Sequence, residues 1–244
     1  DQNLLREAFE KGRQDNFIIA CHTEDLKYRP QGGSVHDSKV VTEKGWIGIS
    51  DACESEPLKN DLQTALAVNG KYHACHISSH LSVEALREAK QKGGDVSAEV
   101  TVHHLLLEDK DVQGPMWKMN PPLRTHEDRM CLIEALEDGT LDFIANDHAP
   151  HTMRDKARPM ANSAFGIVSL ETAFPLLYSE FVYRTKRWTL NQLVEWMSEK
   201  PAKRFGLNHV GKIEKGYTSD MFLVQLNQES MIDADTFESK GKNT

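Results

Sequence analysis

At residues 141–145 the apolar run Leu-Asp-Phe-Ile-Ala breaks into Asn146-Asp147-His148-Ala149-Pro150-His151. A carboxylate and two imidazoles therefore stand where a strand ends. Buried parallel strands deliver acid–base and metal-binding groups in this way, to the rim of a barrel or the edge of an open sheet. Two other stretches share the form, Ala20-Cys21-His22 and Ala74-Cys75-His76, each closing a predicted strand. Successive strand side chains face opposite ways, so turning His22 and His76 toward an axis would leave Cys21 and Cys75 toward a helical shell. Two imidazoles and one carboxylate from three strands suit a divalent cation that assists hydrolysis. In such chemistry Asp147 binds an ion and carries the proton between attacking water and leaving nitrogen. One histidine alone would be read as a core residue, and Asn146-Asp147 alone as a helix cap. Repetition at three strand ends favours the site. A Cys2His2 structural zinc centre fits poorly, because such sites use ligands close in sequence on short turns.

The elements that position these groups alternate along the chain. Leu4, Leu5, Ala8 and Phe9 mark an amphipathic helix stopped near Gly12, and Phe17 to Ala20 a short strand covered on both faces. After a loop with Gln31-Gly32-Gly33, a helix is predicted over about 57–68, a strand over 71–78, a helix over 82–92 and a strand over 96–102. Residues 116–124, with Pro121-Pro122, form an ordered loop. Thr125 to Asp128 reads as a capping box opening a helix through Leu136, followed by a strand over 141–145. Ser169 is expected to cap a helix to Tyr178, and Thr189 another that ends before Pro201. Strand and helix alternate about four times, which is half of an eight-fold barrel or a complete small open sheet. Beyond residue 206 the pattern changes to a lone predicted strand, Met221 to Val224, and a polar tail from Asn227. The expected division is 1–206 for the barrel portion and 207–244 for the start of a small β-rich region.

With 244 residues, 39% hydrophobic and 27% charged, the chain suits one globular core. A net charge of −8 argues against nucleic acid as a partner. No apolar run reaches the length of a membrane span. Four cysteines without framework spacing point to a reduced, cytoplasmic setting.

Met119-Asn120-Pro121-Pro122-Leu123-Arg124, Asp138-Gly139-Thr140, Asp147-His148-Ala149-Pro150-His151, and Phe165-Gly166-Ile167 with Leu170-Glu171-Thr172 are similar to motifs of dihydroorotases of the bacterial class I type. These are members of the amidohydrolase superfamily, with a metal-centred (β/α)8 barrel of TIM type. The resemblance runs from about Phe17 to Val224 and keeps the family's motif order. It implies metal-dependent, reversible hydrolysis of the cyclic amide dihydroorotate to N-carbamoyl-L-aspartate in pyrimidine biosynthesis. It implies that His22 and His76 hold the second of two zinc ions, and that Asp147 binds the first and acts as general base, then general acid. Asn120, His151, Phe165 and Gly166 match positions that contact the substrate. Their plain alternatives are a loop hydrogen bond, a surface histidine and a turn. Glu24, Asp25 and Glu56 flank the motifs and are expected only to bond locally.

The family also requires a His-x-His-x-Arg element and a bridging carboxylate. No His-x-His occurs in this chain, and His103-His104 follows a later strand and cannot replace it. The chain is therefore expected to be the second half of the enzyme, holding at most part of the zinc site. Half a barrel leaves sheet edges open, which a homodimeric partner could cover. A small-molecule substrate is the other expected partner. The competing expectations are a non-catalytic dihydroorotase-like structural partner, or a hydantoinase- or allantoinase-type cyclic amidohydrolase.

Overall fold

Helix α1 (Gln2–Asp15) begins the described residues, 2–244, of this computed structural model. The chain turns at Asn16, whose φ is 61°, into strand β1 (Ile19–Cys21). A long connection then holds a parallel pair, β2 (Val35–His36) and β3 (Gly48–Ile49), joined through helix α2 (Lys39–Glu43). Helix α3 (Ala52–Val68), strand β4 (Tyr72–Ala74), helix α4 (His80–Gln91) and strand β5 (Val96–Thr101) follow. Helices α5 (Val102–Leu106) and α6 (His126–Glu137) lead to strand β6 (Phe143–Ala145). The main sheet has the order β1-β4-β5-β6, every pair parallel. Sheet order thus follows chain order, as in one arc of an α/β barrel.

The two faces of this sheet differ in chemistry. Tyr72, Ala74, Ala98, Val100 and Ile144 join Leu58, Leu62, Leu86, Leu132 and Leu136 in one apolar core beneath the helices. Each such fully buried leucine contributes about 1.5–3 kcal/mol. The register puts His73 beside Ser97, and Glu99 beside Phe143, on the other face. His73 stacks on Phe143 at 5.1 Å between ring centroids, and the edge of Phe205 closes on both rings. This inner face is polar, as expected of the lining of a barrel.

The alternating pattern is as the sequence indicates, but several expectations change. Helix α3 starts at Ala52 rather than near Pro57, because Pro57 lies in its first two turns. The first strand is not covered on both faces: β1 is an edge strand and Ala20 is exposed. The capping boxes at Thr125/Asp128 and Thr189/Gln192 both form. Ser169 does not cap the next helix. Its hydroxyl donates to the Asn146 carbonyl at 2.8 Å, and helix α8 (Ala173–Leu177) follows α7 (Met153–Lys156) three residues later than that cap would place it. Nor does Pro201 end its helix. Helix α9 (Leu190–Val194) runs through a π-helical stretch, Glu195–Glu199, into α10 (Lys200–Arg204), and Pro201 lies just after the wider π turn. The run Met221 to Val224 forms no strand. It finds no neighbour to pair with, and Phe222 and Leu223 stay exposed.

Candidate active site

The strand ends bring the predicted residues to one edge of the sheet. His22 directly follows β1, and His76 follows β4 by two residues. Their rings meet edge to face, with His22 Nδ1 2.9 Å from His76 Nε2. Asn120 Nδ2 lies 3.4 Å, and Glu24 Oε2 3.6 Å, from His22 Nε2. Glu24 is in turn paired to Arg29 at 2.8 Å. Glu24 thus bonds locally, as expected, between His22 and Arg29.

Asp147 stands two residues past β6, with an exposed side chain. Its negative charge reaches the His76 ring and the Cys75 thiol. His76 and Asp147 share a rare backbone state, with φ of 36° and 45°. Left-handed conformations in residues other than glycine cost of order 1 kcal/mol or more and concentrate at functional sites. Cys75 keeps the strand alternation, on the same face as His73, and it is the left-handed turn at His76 that departs from it and brings that ring to His22. Cys75 lies with His73 and Glu99 on the inner face, while Cys21 packs toward the helices. The expectation that both cysteines face the helical shell holds for Cys21 alone.

The histidine pair has the donor chemistry for a cation. Two nitrogen ligands at about 2.0–2.1 Å from a tetrahedral ion stand about 3.3 Å apart, close to the separation of His22 Nδ1 and His76 Nε2. The other His76 nitrogen, Nδ1, is buried without a hydrogen-bond partner. Burial holds the His76 pKa below its ordinary value, the His22 ring adds to this, and Asp147 and Glu54 pull the other way. Neutral imidazole, the form that ligates metal, is thereby favoured. Asp147 does not lie close enough to join the two nitrogens in one tight cluster. The described His, Cys, Asp and Glu triads whose ligand atoms fall within 4.8 Å are His73/Cys75/Glu99 and His36/Asp51/Asp128.

A buried network, not singled out from sequence, fixes the turn that carries His76. Glu54, on α3, accepts hydrogen bonds from the backbone N–H groups of Ser78 and Ser79 at 3.1 Å and from the Ser78 hydroxyl. Arg124, at the end of the Asn-Pro-Pro-Leu-Arg loop, donates to Ser78 Oγ at 2.7 Å, pairs with Asp51 at 2.9 Å and approaches Glu54 at 3.6 Å. Burial pushes the Glu54 carboxyl up, but Arg124 and the serine hydrogen bonds outweigh it and hold it below the usual carboxylate range. His104 reaches Thr101 Oγ1 at 2.7 Å and the carbonyls of Pro121 and Pro122 at 3.2 Å. Asn120 is thus presented to His22 by a loop pinned at both ends.

The remaining predicted residues form a second cluster. His151 Nε2 meets the Phe165 carbonyl at 2.6 Å, and the Phe165 ring lies 4.6 Å from the Arg29 guanidinium and 4.2 Å from Lys118 Nζ. Gly166 has φ of 130°, and a Cβ there would stand 2.5 Å from Ala149 Cβ and 3.1 Å from His151 Nε2. Only glycine fits. Two buried lysines brace this loop. Lys118 donates to the carbonyls of Met160, Ala161 and Ser163, and Lys156 to those of Lys118, Ala164 and Gly166. Burial and the neighbouring cation, Arg29 for Lys118 and Lys118 for Lys156, pull both ammoniums down to about 8. Asn243 in the polar tail is fully buried: it accepts from His151 N and donates to the Ala149 and Gly166 carbonyls. Neither isolated lysines nor a tail asparagine carries a periodic signal, so sequence gave no warning of them. A cavity of about 470 Å³ between α5 and α8, lined by Leu106, Trp117, Ile167 and Leu176 among others, reaches none of His22, His76 and Asp147.

A parallel α/β arc with histidines and an aspartate at its strand ends has the form of one part of an α/β barrel, and comparison with known proteins gives it a family. The Amidohydrolase family profile matches residues 2–244, and the chain belongs to that family. It is 50% identical over 245 residues to the dihydroorotase of Bacillus licheniformis, covering 99% of this chain and 56% of that protein. It is 49% identical to the dihydroorotase of Listeria innocua, covering 98% and 56%. The chain thus spans a little over half the length of these relatives. Among solved structures, the L-hydantoinase (dihydropyrimidinase) of Arthrobacter aurescens superposes with a TM-score of 0.86 at 26% identity, covering 96% of this chain and 54% of that one. The D-hydantoinase of a Thermus species shares the fold at a TM-score of 0.76, covering 90% and 50%. The sheet described above is accordingly part of a barrel. No described helix is long and apolar enough to cross a membrane.

Proposed function

We propose that the protein is a dihydroorotase, reversibly hydrolysing the cyclic amide of dihydroorotate to N-carbamoyl-L-aspartate in pyrimidine biosynthesis in the cytoplasm, and that this chain supplies one part of its barrel and site. The observation that carries the proposal is the facing pair His22 Nδ1 and His76 Nε2, with Asp147 at the end of another strand of the same sheet, in a chain about half identical to dihydroorotases. His22, His76 and Asp147 would hold a divalent cation, and their nitrogen and oxygen donors suit zinc. When bound, such an ion supplies Lewis acidity toward an amide carbonyl and toward water.

The chain's own residues do the rest. Asp147, exposed at the strand end, takes the proton from the attacking water at a carboxylate oxygen and returns it to the leaving ring nitrogen. The Asn120 amide, held beside His22, orients the substrate, and the turn at Phe165 and Gly166 contacts it. His151 fixes the Phe165 carbonyl. In the full-length protein, Asp147→Asn is expected to reduce kcat for dihydroorotate at least ~100-fold while thermal stability stays the same. Wild-type turnover in that variant would overturn the assignment of Asp147.

A hydantoinase-type activity is the second reading, supported by the superposition on the Arthrobacter aurescens enzyme. Assaying dihydroorotate and hydantoin side by side with zinc present separates the two. A folded, zinc-loaded full-length protein that turns over neither would instead indicate a non-catalytic partner. Sedimentation would establish whether it is a homodimer.

A further inference from the structure

A second constellation lies on the inner face of the sheet, one strand step below the facing histidines. His73 is 2% exposed, and its Nδ1 lies 2.9 Å from Ser97 Oγ. The Ser97 hydroxyl directs its own hydrogen to the Tyr72 carbonyl, at 3.5 Å. His73 thus presents Nδ1 to Ser97 and its other ring nitrogen, Nε2, to Glu99. That nitrogen is buried and makes no hydrogen bond. It faces Glu99 Oε2 at 3.2 Å. A buried imidazole nitrogen without a hydrogen bond and a carboxylate oxygen 3.2 Å from it are two donors that a cation can join. The Cys75 sulfur completes the group, and the three ligand atoms all lie within 4.8 Å of one another.

We propose that His73 Nε2, Cys75 Sγ and Glu99 form a cation site separate from the one at His22, His76 and Asp147. One nitrogen, one sulfur and one oxygen donor select a borderline-soft divalent ion, zinc above magnesium or calcium. Ser97 is the outer partner that orients the imidazole, the arrangement usual around metal-ligating histidines. Binding displaces the Cys75 thiol proton to solvent and leaves the thiolate on the ion. The rings of Phe143 and Phe205 pack against His73 and keep its approach to the ion fixed. The site does not depend on the activity proposed above, since the strand-end site contains no sulfur ligand.

The test is titration of the metal-free full-length protein with Co2+, following the near-ultraviolet sulfur-to-cobalt charge-transfer band. The band should appear in wild type, vanish in Cys75→Ser, weaken in Glu99→Gln and persist in Cys21→Ser. Absence of the band at saturating Co2+, or its survival in Cys75→Ser, would overturn the site. If Cys75→Ser fails to fold, a zinc K-edge spectrum of the wild-type protein decides without a variant. A sulfur scatterer at about 2.3 Å supports the proposal, and a shell of nitrogen and oxygen alone sinks it.

Discussion

Replacing Glu54 by glutamine is the sharpest probe of how this site is held. Glu54 and Arg124 are each 3% exposed. One Glu54 oxygen accepts from two backbone N–H groups at 3.1 Å, and the other accepts the Ser78 hydroxyl and lies 3.6 Å from Arg124. A glutamine amide must turn its NH2 toward one of these sets, donor against donor. Charge-assisted hydrogen bonds are worth about 1.5–3 kcal/mol each, and unpairing a buried ion costs about 3–5 kcal/mol. Arg124 keeps Asp51 at 2.9 Å, so the low end applies and a loss of about 3 kcal/mol is expected. At about 2–4 °C per kcal/mol for a chain of this size, Tm should fall by about 6–12 °C. Urea unfolding of Glu54→Gln, Arg124→Met and the double variant should show coupling of about 1–3 kcal/mol between the two. The pH dependence has a definite sign. The folded carboxyl titrates below its ordinary 4.5, so its contribution is complete above that pH and fades as pH falls through the lower folded value. Glu54→Gln should therefore be less sensitive to acid than wild type. A loss below about 1 kcal/mol, or strictly additive single variants, would refute the account of Glu54 as the tether of the His76 turn.

Gly166→Ala should destabilise by about 2–4 kcal/mol, from a backbone state closed to alanine and the overlap with Ala149; denaturant unfolding measures it, and a neutral result would contradict the geometry. Lys118 and Lys156 lose their protons near pH 8 in the folded protein but near 10.5 when unfolded. The unfolded chain binds more protons across that window, so stability should rise with pH between the two values. Unfolding curves at pH 8 and pH 10 test this, and the difference should shrink in Lys118→Met and Lys156→Met.

The fold was legible where periodicity and capping chemistry agree. The box at Thr125/Asp128, the helix behind it and the strand reaching Ala145 all lie close to where the residues place them. Boundaries moved where a nonlocal partner intervened. Ser169 bonds across to Asn146 instead of capping its own helix, and Pro201 follows a π-helical stretch instead of ending its helix. The facing of His22 and His76 followed from two repeated strand-end tripeptides. The side on which Cys75 lies did not: it keeps the strand period, and the left-handed turn at His76, which departs from it, cannot be read from a period of two. The supporting residues were invisible for a different reason. Glu54, His104, Lys118, Lys156 and Asn243 act through contacts between segments distant in sequence, and nothing local marks them.

The pair of lysines has a further bearing on how a ligand could be admitted. Each ammonium gathers three carbonyls, and Lys156 takes one of its three from Lys118 itself, so residues 118 and 156–166 are fastened into a single block. Such a block does not flap. Opening it means breaking the hydrogen bonds of both cations, which places it with partial unfolding rather than loop fraying. Deuterium uptake by its amides should be correspondingly slow, and selectivity on this wall would come from a shape fixed in advance of the encounter.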